Sequence, residues 1–147
     1  MSRTYHKPGI GTPNGIYVYD PELGEWVLTE KLPFKQTGFH IIYFDNTRCP
    51  ACRRFDPHWF SFVEEMAAKN PEDVFMIVLC DWFSKQCSSA LAKKLFEVFD
   101  IHVSPTIAFV YRVDGSIKRI QKEEGLLEKD KLAIIYIVSR TLFTKES

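Results

Sequence analysis

Two cysteines one helical turn apart, Cys49-Pro50-Ala51-Cys52, stand where the chain changes its hydrophobic period. Ahead of them, Ile41 to Phe44 is an apolar, β-branched run of the length of a buried strand. Behind them, Phe55, Trp59, Phe62, Val63 and Met66 recur at helical spacing and fall on one face. A strand that hands over to a helix here puts Cys49 at the helix N-terminus. Free backbone N–H groups and the positive end of the helix dipole favour an anion there. A thiolate is such an anion, and it is the reactive form of cysteine.

A chain of 147 residues, 46% hydrophobic and 14% aromatic, suffices for one domain with a real core. Lys+Arg and Asp+Glu are 19 each, which argues against a nucleic-acid or acidic-membrane surface as the main business. The start, Met1 to Gly9, has no apolar stretch of signal-peptide length, and the longest apolar run, Leu132 to Val138, is too short to cross a bilayer. The expected setting is cytoplasmic, where a close cysteine pair is more often catalytic or metal-binding than structural.

Residues 1–15, rich in Pro, Gly, Thr and Asn, read as a flexible or irregular lead-in to a single domain over 16–147. Ile16 to Tyr19 and Trp26 to Leu28, separated by Asp20-Pro-Glu-Leu-Gly turn chemistry, predict a hairpin. After the cysteines a helix should run to about Lys69, ended by Asn70-Pro71. Val74 to Cys80 reads as a strand covered on both faces. A helix over 88–99 should turn Leu91, Leu95, Phe96 and Phe99 inward. Thr106 to Tyr111 is a strand, Asp114-Gly115 a hairpin turn, and Ser116 to Gln121 a returning edge strand. Gly125 breaks the chain before a last helix over 128–143, with Leu132, Ile135 and Leu142 inward. The order is that of one α/β layer structure.

This arrangement resembles the thioredoxin family over residues 39–143. Pro57 falls five residues after Cys52, where thioredoxins carry the proline of the active-site helix. Ser104-Pro105-Thr106 opens a strand where the family has its cis-proline loop facing the cysteines, and Asp114-Gly115 and Gly125 match its hairpin turn and the glycine before its last helix. The resemblance implies a three-layer thioredoxin fold, a central mixed sheet flanked by helices, here with an N-terminal β-hairpin extension. It implies a thiol–disulfide oxidoreductase exchanging disulfides with protein substrates, fed by an upstream reductase or other electron donor. No cofactor beyond the dithiol is expected, and no metal, nucleic-acid or membrane partner.

In that reading Cys49 is the nucleophile and Cys52 resolves the mixed disulfide. Arg48 flanks Cys49, with Arg53, Arg54 and His58 on the following turns; cationic neighbours and a helix start lower a thiol pKa from about 8.5 toward ~3.5–7.5. Pro50, Ala51, Ser104 and Pro105 form the substrate side, where a peptide can pair strand-fashion with the backbone of Ser104. The residues depart from the family at Arg48, which stands for a Trp, and at Tyr43, which stands for a buried Asp. A tyrosine is a poor base at neutral pH, and Asp45, on the same strand face, is the candidate substitute. Pro-Ala between the cysteines is closer to the Pro-X pairs of glutaredoxins and disulfide isomerase-like proteins. With Arg48 favouring the thiolate, the expected reduction potential is less negative than the thioredoxin value of about −270 mV.

Other readings stay open. The fold could serve a non-enzymatic binding or assembly module through the Pro105 groove, or a glutaredoxin-like, glutathione-linked reductase. A zinc site across both cysteine pairs is disfavoured by the Cys80-to-Cys87 spacing and by the facing proline. Cys80 and Cys87 are either inert small hydrophobes, a second disulfide, or a relay to Cys49. His58 and His102 read as surface or packing residues, and Phe60, Trp82 and Phe83 as core.

Overall fold

The apolar run before the cysteines forms strand β4 (Gly38–Asn46), inside a seven-stranded sheet; the structure, a computed structural model, describes residues 3–145. The other elements are β1 (Arg3–Tyr5), β2 (Gly15–Asp20), β3 (Glu25–Thr29), α1 (Pro50–Lys69), β5 (Val74–Cys80), α2 (Ala90–Val98), β6 (Thr106–Val113), β7 (Ser116–Glu124) and α3 (Lys129–Lys145). The strand order is β1-β3-β2-β5-β4-β6-β7. β4 and β5 pair in parallel and the other neighbours are antiparallel, so the sheet is mixed. Near-continuous apolar sequence in β4 and β5 matches their burial on both faces.

α1 and α3 cover one face of the sheet. Phe55, Trp59, Phe62, Val63 and Met66 of α1 pack with Phe39, Ile41 and Tyr43, and with Leu132 and Tyr136 of α3. α2 covers the other face, where Leu95, Phe96 and Phe99 meet Ile42, Phe44, Met76 and Val78. Removing a buried Phe or Trp from such a layer costs about 3–5 kcal/mol, so α1 has a firm seat.

The strand pairings bring three loops to one end of the sheet. In the parallel pair Asn46 lies opposite Cys80, so the turn into α1 and the segment after β5 emerge together. In the antiparallel pair Phe44 lies opposite Thr106, which brings Ser104 and Pro105 to that same end. Asp114 and Gly115, both with positive φ (49° and 84°), form the two-residue turn between β6 and β7. The Gly125 amide donates to the Pro105 carbonyl at 2.8 Å, tying the proline loop to the approach of α3.

Some boundaries differ from the sequence reading. Within the lead-in, Arg3–Tyr5 is an edge strand paired with Trp26 to Leu28; three residues give no periodicity to read. β4 extends past the apolar run because buried His40, Asp45 and Asn46 keep partners. α2 begins at Ala90 because the Ser89 hydroxyl accepts from the Ala92 amide at 3.1 Å and caps it. In α3, Leu142 is 54% exposed rather than inward, and Tyr136 and Ser139 face the core with Leu132. Phe60 is core, whereas Trp82 is 40% exposed.

Candidate active site

Cys49 is the N-cap of α1. Its backbone is extended (φ −104°, ψ 108°), and its sulfur accepts the Cys52 amide at 3.0 Å. A sulfur thus takes the capping role that an Asp or Ser oxygen fills elsewhere. Pro50 follows at the first helical position, where its missing N–H has no bond to lose. Cys49 and Cys52 are joined as a disulfide, with Cα atoms 5.2 Å apart. Cys49 is 4% exposed and Cys52 fully buried.

Ser104 lies against both sulfurs. Its carbonyl oxygen is 3.6 Å from Cys49 Sγ, and its hydroxyl is 2.8 Å from Cys52 Sγ. The Ser104–Pro105 peptide bond is cis. Pro50 is exposed and Ala51 packs on the core cluster beside the pair. Ser104 therefore stands beside the dithiol, and its side chain adds a contact that backbone reasoning did not anticipate.

The cations expected around Cys49 are arranged differently. Arg48 is exposed, and its guanidinium is bonded to the side-chain oxygen of Gln86. Arg53 turns inward, with Nη2 at 2.6 Å from Asp45 Oδ1, Nε at 2.9 Å from Asp56 Oδ2, and Nη1 donating to the Thr47 carbonyl. Its guanidinium is thus engaged by Asp45 and Asp56 rather than turned to the Cys49 sulfur. His58 accepts the Lys129 amide at 3.2 Å and seats the start of α3. His102 pairs with Asp100 on the surface.

Beneath Cys52 lies a polar cluster built from β4 and α1. The Tyr43 hydroxyl donates to Asp56 Oδ1 at 2.8 Å and sits 3.3 Å from the Cys52 carbonyl. Burial, then the charges of Asp45 and Asp56, lift Tyr43 well above its ordinary pKa, so it is a donor and not a base. Burial, then Asp56, pushes Asp45 up to about 8 against the pull of Arg53. Asp56 is also raised, chiefly by burial. Asp45 does share the cluster face with Tyr43, but its bond runs to Arg53, and its other oxygen has no partner. Asp56 was missed in the sequence, although its spacing of three from Arg53 on a helix was a readable signal.

Cys80 and Cys87 are joined in a second disulfide. Among the described residues, no group of three or more His, Cys, Asp or Glu could hold a metal ion. Likewise, no helix there is long and apolar enough to cross a membrane.

A mixed sheet with helices on both faces and a C-x-x-C pair at the start of α1 defines a thioredoxin fold. A solved structure agrees with it. The thioredoxin from Aeropyrum pernix superposes with a TM-score of 0.60 at 18% identity, covering 86% of this chain and 94% of that one. StoA from Bacillus subtilis is similar at a TM-score of 0.45 and 18% identity, covering 86% of this chain and 98% of that one. By sequence, no protein-family model and no curated protein matches the chain.

Proposed function

We propose that the protein is a thiol–disulfide oxidoreductase acting on protein substrates through Cys49 and Cys52. The observation that carries this reading is the bond from the Cys52 amide to Cys49 Sγ at 3.0 Å, at a helix N-terminus. That amide and the helix dipole stabilise negative charge on the one sulfur of the pair that is not fully enclosed.

In the reductive direction the Cys49 thiolate attacks a substrate disulfide. One S–S bond breaks, one mixed disulfide forms, and the first substrate sulfur leaves as a thiolate that takes up a proton. Cys52 then attacks Cys49 Sγ, expels the second substrate sulfur, and closes the Cys49–Cys52 disulfide. Two electrons have passed to the substrate. An upstream dithiol reductase or other electron donor restores the pair, and no cofactor is required. The Ser104 backbone offers an extended substrate chain a strand-like partner. The cytoplasm is the compartment this reading expects.

Trapping tests it. A Cys52→Ser variant should accumulate mixed disulfides with protein substrates through Cys49, and a Cys49→Ser variant should form none. The wild type should accelerate insulin reduction by dithiothreitol. Absence of adducts from both variants, together with no insulin reduction, would overturn the reading in favour of a binding module.

A further inference from the structure

The second disulfide closes a short ring at the end of β5, with the Cα atoms of Cys80 and Cys87 4.6 Å apart. The ring is bonded across itself. The amides of Asp81 and Trp82 donate to the Gln86 carbonyl at 2.9 and 3.0 Å, and the Gln86 amide donates back to Trp82 at 3.2 Å. Asn14 Nδ2 donates to Asp81 Oδ1 at 3.1 Å, and further outward bonds go to the turn that carries Cys49. Phe83 N–H donates to Asn46 Oδ1 at 2.6 Å, Thr47 Oγ1 donates to Asp81 Oδ1 at 2.7 Å, and Arg48 N–H donates to the Asp81 carbonyl at 3.3 Å. Arg48 is held a second time, by its guanidinium on Gln86 Oε1. Each of the three residues before Cys49 is thus bonded to the ring. Phe83 makes its contact at φ 53°, a region a non-glycine residue occupies only when its surroundings impose it.

The ring has chemistry of its own. Cys80 is buried and Cys87 is half-buried, so an incoming thiolate meets the Cys87 sulfur first. Cys87 Sγ lies 3.5 Å from the Ser89 carbonyl oxygen, an acceptor already in place for a thiol S–H. The site therefore accommodates both oxidised and reduced states.

We propose that Cys80–Cys87 is a second redox site, reduced by dithiols, whose opening frees Arg48 and makes Cys49 more reactive. The proposal rests on the oxidoreductase reading of Cys49 and Cys52. A reductant thiolate attacks Cys87 Sγ, the bond to Cys80 breaks, and Cys80 leaves as a thiolate that is then protonated. The reductant's second thiol displaces Cys87. The products are two protein thiols and one cyclised reductant disulfide, with two electrons transferred. In the closed ring the Arg48 guanidinium is engaged by Gln86, the neighbour of Cys87. Once Cys87 is released, Gln86 keeps its backbone bonds to Asp81 and Trp82 but loses the covalent tether of its neighbour, so its side chain loosens its hold and Arg48 turns to the thiolate one residue away.

The test uses the full chain in a Cys52→Ser background, where Cys49 is a free thiol whatever the state of the ring. Mass mapping first establishes that 80 and 87 are bonded in air-oxidised protein and become free thiols in excess dithiothreitol under native conditions. After removal of the reductant, Cys49 alkylation by iodoacetamide is followed against pH. Opening the ring should speed the reaction at pH 7 by about two- to fivefold, the size of one exposed charge interaction, and move its titration midpoint down. Gln86→Ala with the ring still closed should reproduce the faster rate, and Arg48→Ala should abolish the difference between ring states. Equal rates and midpoints in the two states would overturn the proposal. So would free thiols at 80 and 87 in air-oxidised protein, or a ring that native dithiothreitol leaves intact. None of these readouts needs substrate turnover, so inactivity on insulin would count against the enzyme reading alone.

Discussion

The hydroxyl of Ser104 reaches the sulfur of Cys52 at 2.8 Å, across the gap between the proline loop and α1. A donor fixed on the buried sulfur favours negative charge there, and with it the reduced form of the pair. Loss of one such hydrogen bond is worth about 1 kcal/mol, which corresponds to about 20 mV for two electrons. Ser104→Ala should therefore make the Cys49–Cys52 potential more negative by about 20 mV, measured by equilibration with glutathione or dithiothreitol. Ser104→Thr, which keeps the hydroxyl, should restore it. A potential unmoved by Ser104→Ala would show that the contact has no electrostatic consequence.

Asp45 gives stability a pH dependence of definite sign. Its ordinary pKa is 3.8, and in the fold burial and Asp56 push it to about 8. Below the lower value the group is protonated in both states. As pH rises, the unfolded chain releases its proton first, so stability falls toward the higher value. Above pH 6.5, where His40 no longer acts in the opposite sense, the urea midpoint should drop toward pH 8, and Asp45→Asn should flatten that slope. An equally steep slope in Asp45→Asn would remove Asp45 as the cause.

His40 governs the acid limb. It is fully buried, its Nε2 accepts the Lys35 amide at 3.0 Å, and burial first of all lowers its pKa from 6.5 to about 4. Here the unfolded chain takes up a proton that the fold refuses, so stability declines as pH falls from 6.5 toward 4. Because Asp45 acts in the opposite sense over this range, the difference is the readout: relative to the wild type, His40→Gln should gain stability from pH 6 to pH 4.5 in the same urea titrations, whatever its stability at pH 7.

Arg53 holds two largely buried carboxylates at once. Arg53→Met leaves them facing each other uncompensated, and breaking a buried pair from one side costs about 3–5 kcal/mol. The loss should be smaller at pH 5 than at pH 8, because both acids are raised and protonation relieves their repulsion. A pH-independent loss would point to packing of the Arg53 stem instead.

The ring of Cys80 to Cys87 also contributes through the unfolded chain. Closing a loop of about eight residues is worth about 2.5 kcal/mol in the chain-entropy account. Cys80→Ser with Cys87→Ser should lower the denaturation midpoint accordingly, and reductant should then have no further effect at this site.

Much of the fold could be read because its signals were local. The continuous apolar runs of β4 and β5, the helical stripe from Phe55 to Met66, and the Asp114-Gly115 turn each act within a few residues. The cysteine pair was legible for the same reason. Long-range pairing was not. That Arg53 turns inward depends on Asp45, eight positions back on another element, and that Arg48 faces Gln86 depends on a loop 38 residues away. A row of cations beside a thiol looks the same in sequence whether its charges face the sulfur or an acid underneath. Leu142 misled for a related reason: α3 carries apolar residues around most of its circumference, including exposed Ile134, Ile137 and Val138, so its periodicity does not single out one face.

Besides the β4–β6 pairing, a short bracket bridges the two sides of the dithiol groove. Gly125 holds the proline loop through the Pro105 carbonyl, and four residues on, the Lys129 amide holds α1 through His58. The short stretch from Gly125 to Lys129 therefore acts as a spacer gauge for the gap at Cys49. An insertion or deletion there would leave every sulfur and every wall residue in place in the sequence, and yet change the clearance between them. Part of what sets the width of the reaction site is thus written some 75 residues downstream of the cysteines that use it.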